Sequence, residues 1–282
     1  MTDLRALLAE LAVPRLTGSP GHARVRDVLR RELAARGYVA MEHRFRARAA
    51  DAVTLIGVRP RTRITTWLVA HSDAKGQPLS MLVRLAAAAL IPLGLLGLWF
   101  SLWAGLAAVV GGGLLALNRI TDRSPGAVDN ATGLLTVLAT MDRLPAAAPV
   151  GVIFTDAEEL GLLGARALVR ERPQLLAGTT VVNFDGIDDG GAVRVLRHKA
   201  GPVGQAIAHA LGTKTRGFFP VIVDGRVLAQ AAGECVTIMK GDWHTAAVVH
   251  RPGDVPERLT LEGVNQVASA VAGVLSEQPG NE

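Results

Sequence analysis

The sequence predicts an α/β fold: a mainly parallel mixed sheet flanked by helices, with one hydrophobic helical hairpin inserted into it. Three observations predict this. Short apolar and β-branched runs, such as residues 64–70, 149–155 and 179–184, alternate with stretches of helical periodicity, and parallel strands need such crossovers. Each of these runs stops at His, Asp or Glu, as strands do when their carboxyl ends line a crevice. Finally, hydrophobic residues make up 49% of the 282 residues, and the excess is concentrated in residues 85–118, where no side chain is charged.

Residues 3–12 and 21–36 carry apolar side chains at helical spacing. In the second, Val25, Val28, Leu29 and Leu33 share a face, and Gly37 closes the helix. Strand-like runs follow at 38–46 and 51–58, then the run 64–70 reads as a buried strand. After the hairpin the expected order is helix 129–143, strand 149–155, helix 160–171, and strands 179–184 and 192–197. Helices 202–211 and 224–232, strand 235–239, helix 259–276 and a polar tail at 277–282 complete the chain. Residues 1–78 and 119–282 thus form one discontinuous domain, and residues 79–118 are its insertion.

A single straight helix over 85–118 would be roughly 50 Å long, against a hydrocarbon core of ~30 Å. Two helices of roughly 17 residues, turning near residues 99–103, are about 25 Å each. The expectation is a transmembrane or membrane-dipping hairpin in a lipid bilayer; the alternative is a hairpin buried between copies of the chain. Lys75 and Arg84 flank one end, and Arg119 and Arg123 the other. The positive-inside bias then places both ends on the cytoplasmic side of the cell membrane. No secretory signal is visible, because Asp3, Arg5 and Glu10 interrupt any apolar run at the amino terminus.

Lys and Arg number 30 against 25 Asp and Glu, a formal charge of +5. The arginines are scattered and aromatics are only 4%, too few for a base-stacking platform, so no nucleic acid is expected as a partner. The surplus suits anionic lipid head groups. Cys235 is the one cysteine, which excludes an internal disulfide framework and a thiolate metal site. A Gly-x-Ser-x-Gly elbow is missing, which removes the serine-hydrolase reading.

The chemistry gathers at the strand ends. The run 64–70 stops at His71, Ser72 and Asp73; the run 149–155 stops at Asp156, Glu158 and Glu159; the run 179–184 stops at Asp185. Asp129 sits in a Gly-containing loop before a helix. Zinc takes His nitrogen and carboxylate oxygen, and two zinc ions ~3.5–4 Å apart need a bridging carboxylate. His71 and Asp73 are two apart, so both can face one side, one as ligand and one accepting the imidazole N–H. Neighbouring Glu158 and Glu159 point apart, one towards metal and one towards an attacking water.

These motifs resemble the co-catalytic zinc aminopeptidases, whose relatives include glutamate carboxypeptidase and glutaminyl cyclase. The likeness rests on residues 14–21, on 70–73, on the loop around Asp129 and Asn130, on 156–164 and 183–185, and on His250 to Asp254. It implies a zinc-exopeptidase fold of the phosphorylase/hydrolase type and two Zn2+ ions. Asp129 would bridge them, His71 and Asp185 would complete one site, and Glu159 and His250 the other. Glu158 would be the general base, Asp73 would orient His71, and the peptide after Asp129 would be cis. Between His244 and His250, the family pattern favours His250. His22, His43, His198 and His209 read as surface or packing residues, and Asp188 and Asp189 as solvated turn residues.

The resemblance implies hydrolysis of a peptide substrate, with removal of an amino-terminal residue. Glutaminyl-cyclase chemistry and a non-catalytic membrane scaffold are the rivals. The chain departs from the family pattern in its hairpin, which lies between the first two metal motifs, and in residues 218–235, which match only loosely. Since His71 precedes the hairpin and Asp129 follows it, the chain must cross the bilayer an even number of times or enter it only partway.

Overall fold

The computed structural model describes residues 3–277; most of the polar tail lies outside the described residues. Helices α1 (Leu4–Leu11) and α2 (Pro20–Ala35) lead into the hairpin β1 (Val39–Ala47) and β2 (Ala50–Val58), then β3 (Thr66–His71). Asp3 and Ser19 cap the two helices, each accepting hydrogen bonds from first-turn N–H groups. Helices α3 (Met81–Gly97) and α4 (Gly105–Leu117) follow, then α5 (Thr132–Arg143), β4 (Val150–Thr155), α6 (Leu163–Glu171) and α7 (Pro173–Leu176). The chain continues through β5 (Thr180–Ile187), β6 (Ala192–Lys199), α8 (Pro202–Ala210), β7 (Thr215–Arg216) and α9 (Gly225–Leu228). It ends with β8 (Glu234–Gly241), α10 (Trp243–Val248) and α11 (Glu262–Ser276).

The eight strands form one sheet in the order β1-β2-β4-β3-β5-β8-β6-β7. Its centre, β4-β3-β5-β8, is parallel, while β2 meets β4 and β6 meets β8 antiparallel. Alternation along each central strand divides two cores. On β3, Leu68 and Ala70 join the larger core under α1, α2, α5, α8 and α11. Trp67 and Val69 join the smaller core under α6, α7 and α9. With both faces covered, β3 and β4 are buried along their whole length, and their polar ends are left to face the crevice.

Between β3 and α5 the chain leaves and re-enters at one stem, where Gly76 and Thr121 exchange both backbone hydrogen bonds, at 2.6 and 2.8 Å. Helices α3 and α4 pack closely because small residues face each other: a Cβ on Gly94 would meet the Ala108 backbone, and one on Gly111 would meet the Ala87 carbonyl. Their outer faces and the turn are apolar and exposed, with Trp99 at 87%, Phe100 at 92% and Trp103 at 80%. The transmembrane expectation is corrected here. The helices have 17 and 13 residues, about 25 and 20 Å at the α-helical rise. Among the described residues, no helix is long and apolar enough to cross a membrane.

Candidate metal centre

Four segments converge at the carboxyl ends of the parallel strands. His71 ends β3, Glu158 and Glu159 follow β4, and Asp185 lies near the end of β5. Asp129 precedes α5, and His250 follows α10 with a left-handed φ of +65°. The ligand atoms of His71, Asp129 and Asp185 lie within 4.8 Å of one another, as do those of Asp129, Glu159 and His250. The structure therefore brings five widely separated residues into two triads that share Asp129.

Local interactions hold this arrangement. Arg15, wholly buried, donates to the carbonyls of Val13, Ser72, Pro125 and Gly126, and so ties the His71 loop to the Asp129 loop. Gly126 has φ +58°, and a Cβ there would collide with the Asp129 carbonyl, so the turn requires glycine. The Asp129–Asn130 peptide is cis. Asn130 donates to the Phe184 carbonyl at 2.9 Å and accepts from the Gly186 N–H at 3.2 Å, setting Asp129 beside Asp185. The carboxylate of Asp254 accepts from the N–H groups of Val128 and Asp129, at 2.8 and 3.2 Å. Burial raises Asp254 to about 6.

Asp73 touches more than His71. Its carboxylate accepts from the N–H groups of Glu158 and Glu159, both at 3.1 Å, and stands 3.5 Å from His71 Nδ1. The acceptor for His71 Nδ1–H is the carbonyl of Asp73, at 3.0 Å. A carbonyl only accepts, so Nδ1 carries a proton, and Nε2 faces Asp129 Oδ1 (3.1 Å) and Asp185 (3.8 Å). Asp129 Oδ1 and Glu159 Oε1 are buried and accept no hydrogen bond of proper geometry among the described residues. Lone pairs turned towards each other in a buried site are what a divalent cation bridges.

Electrostatics agree. Burial disfavours a charged His71, but Glu158, Asp129, Asp185 and Asp73 outweigh it and raise the ring well above its usual value. Burial opposes the charge on Asp129 too, yet His250 and His71 hold it well below the usual range. Burial lifts Glu158 well above an ordinary glutamate, with Glu159 and Asp185 adding to the effect.

Several contributors escaped the sequence reading. Lys75 Nζ pairs with Glu159 Oε2 at 2.7 Å. Arg84 Nη2, on the first turn of α3, lies 2.7 Å from His250 Nδ1. Their signal was positional only, two cations next to an apolar run. The reading of Asp188 and Asp189 as solvated is corrected. Asp188 is buried and accepts from Thr245 (2.7 Å) and Arg258 (3.2 Å). Asp189 accepts from the N–H groups of Thr260, Leu261 and Gly263 at the start of α11. His22 and His43 are packing residues, bonded to Ser72 and Glu171. His244 is exposed, its ring tilted against that of its neighbour Trp243, and it belongs to neither triad.

Residues 59–275 match the family model of peptidase family M28. The chain belongs to family M28. No curated protein matches it in sequence. Among solved structures, this M28 chain is similar to a Zn-dependent exopeptidase from Parabacteroides distasonis, with a TM-score of 0.70 and 18% identity over 98% of this chain and 97% of that one. It is similar to a Porphyromonas gingivalis glutaminyl cyclase, at TM-score 0.66 and 16% identity over 98% and 100%. The Legionella pneumophila LapA aminopeptidase aligns at TM-score 0.64 and 12% identity, over 99% of this chain and 70% of that one. At such identities the likeness is one of fold; family membership supports a peptidase-like hydrolase.

Proposed function

We propose that the chain is a zinc-dependent exopeptidase of the aminopeptidase type, acting on peptide substrates with two zinc ions. The observation that carries this is the pair of buried triads sharing Asp129, in one cavity with the carboxylate of Glu158. His71 and Asp185 would hold one ion, Glu159 and His250 the other, and Asp129 both. Ions held there would supply Lewis acidity towards a scissile carbonyl and towards water. Glu158 takes the proton of the attacking water and returns it to the leaving amine; burial raises its proton affinity towards what that exchange needs. Asp73 positions Glu158 and Glu159 through their N–H groups and His71 through its carbonyl.

The proposal includes a membrane-dipping anchor at the cell membrane, with the site on the cytoplasmic side. The exposed apolar faces of α3 and α4 support it, as do Arg119 and Arg123, exposed at their base where anionic head groups would lie. The fold likeness to glutaminyl cyclases motivates a second reading, and one experiment separates them. The purified chain is assayed for bound zinc, for chelator-sensitive hydrolysis of aminoacyl amides, and for ammonia release from glutaminyl peptides. Zinc with amide hydrolysis supports the exopeptidase. Ammonia release without hydrolysis replaces it with the cyclase, and absence of both zinc and turnover refutes it.

A further inference from the structure

The cavity over the two triads measures about 860 Å3. That is near the upper end for small-molecule sites. Most of its wall is apolar: Met81 and Leu85 from α3 on one side, and Phe219, Ile222, Trp243 and Val249 on the other. The apolar surface continues past the rim, because Leu85, Ile222 and Trp243 are 53%, 71% and 63% exposed. From there α3 carries it on through Leu93 and Leu96, both exposed, to the aromatic turn. Exposed apolar side chains therefore recur along α3 from the tip of the helix pair to the rim of the cavity.

The charge on the wall is one-sided. Arg84, Arg194 and Lys240 line the same cavity, and none has a carboxylate within ion-pair distance among the described residues. Arg194 instead lies over the Phe219 ring at 5.1 Å, and Lys240 donates to the carbonyls of Asp189 and Gly190. Outside the triads and Glu158, the acidic lining residue is Asp242, whose carboxylate is engaged as the cap of α10. Two divalent ions would balance Asp129, Asp185, Glu158 and Glu159, leaving a basic surplus beside the apolar walls.

We infer that the site takes anionic amphiphiles, namely long-chain N-acyl amino acids, in which an amide joins an apolar acyl chain to an amine that bears a carboxylate. This rests on the hydrolase reading above, with an acyl chain in place of an amino-terminal residue. Water adds to the acyl carbonyl, and Glu158 takes its proton. The C–N bond breaks, the proton passes to the amine, and a fatty carboxylate and a free amino acid leave; nothing is oxidised or reduced. The acyl chain fills the space between α3 and the Phe219–Ile222 wall, while the cations face the carboxylate.

The test uses the full chain, zinc-loaded, with N-acetyl-, N-octanoyl- and N-dodecanoyl-leucine, the carboxamide of N-dodecanoyl-leucine, and leucine p-nitroanilide. We expect kcat/KM to rise about a hundredfold from acetyl to dodecanoyl and to fall about tenfold when the carboxylate becomes a carboxamide. Calorimetry on Glu158→Gln, with and without zinc, should show N-dodecanoyl-leucine bound and N-acetyl-leucine not. Ile222→Asp should weaken that binding about tenfold. Hydrolysis of the anilide with no gain from chain length overturns the substrate class and leaves the hydrolase reading intact. A zinc-loaded protein that cleaves none of these amides overturns both. Absence of dodecanoyl-leucine binding to Glu158→Gln also overturns the inference.

Discussion

Arg84 Nη2 lies 2.7 Å from His250 Nδ1. Arginine only donates, so Nδ1 accepts there and Nε2 carries the proton towards Asp129 and Glu159, at 2.9 and 3.0 Å. The two imidazoles of the centre are thus set oppositely at Nδ1, His71 donating to a carbonyl and His250 accepting from a guanidinium. Glu159 and Asp129 outweigh the burial of His250 and raise it to about 9, while the guanidinium opposes a second proton at Nδ1. The helix carrying this arginine is the first of the apolar pair, so the insertion reaches the candidate metal centre directly.

Replacing Arg84 by glutamine removes a cation and supplies an oxygen that accepts Nδ1–H. Histidine that ligates metal ordinarily donates its other N–H to such an acceptor. Arg84→Gln should therefore tighten zinc binding about tenfold, read by competition with a chelating dye. Unchanged or weaker zinc binding would show that Arg84 does not oppose it.

Glu158→Gln keeps shape and removes the proton acceptor. Turnover should fall by about 10²–10⁴, while zinc content by elemental analysis stays at the wild-type level. Loss of zinc alongside turnover would make Glu158 a structural or ligand residue instead.

Asp224 is wholly buried, accepts a hydrogen bond from Thr155 and leaves Oδ1 without one. Burial raises it to about 7. The folded state thus holds a proton that the unfolded chain releases near 3.9. Its contribution to stability is complete below that value and is lost as pH rises through about 7. For the zinc-free protein, this group contributes a slope of at most ~1.4 kcal/mol per pH unit. Asp224→Asn should flatten the dependence of Tm on pH between 5 and 8 and raise Tm at pH 8. A slope identical to wild type would assign the loss to other groups.

The aromatic turn should carry the lipid contact. Flotation with vesicles containing anionic lipid should retain the wild-type chain, and Trp99→Asp with Trp103→Asp should reduce the bound fraction at least about tenfold. Arg119→Gln with Arg123→Gln should reduce it mainly at low salt, because charge on a membrane surface is screened within a Debye length. Equal flotation of all three proteins would remove the aromatic turn and these two arginines as the lipid contact, and failure of the wild-type chain to float would remove the lipid surface as the partner.

Much of the architecture is legible because its signals are local. Alternating short apolar runs and helical stretches mark nearly every element of the sheet and its flanks, with ends within a few residues. The last helix is expected from 259 and begins at Glu262, because Asp189, far away in sequence, takes the N–H groups that precede it. Helix α10 has no counterpart in the sequence pattern; its six residues show no periodicity, and the Asp242–Thr245 capping box is what defines it.

The sequence by itself determined the donor chemistry: which carboxylates and imidazoles end the apolar runs, and the single uncharged stretch between His71 and Asp129. Those are properties of residue type and order, and pattern suffices to read them. Tertiary structure alone decided what each neighbour does: that Asp73 grips two N–H groups, that Asp254 and Arg15 hold the loops, and that Arg84 meets His250. Hydrogen bonds between distant segments depend on distances of a few tenths of an ångström, and those distances exist only once the sheet has brought the segments together.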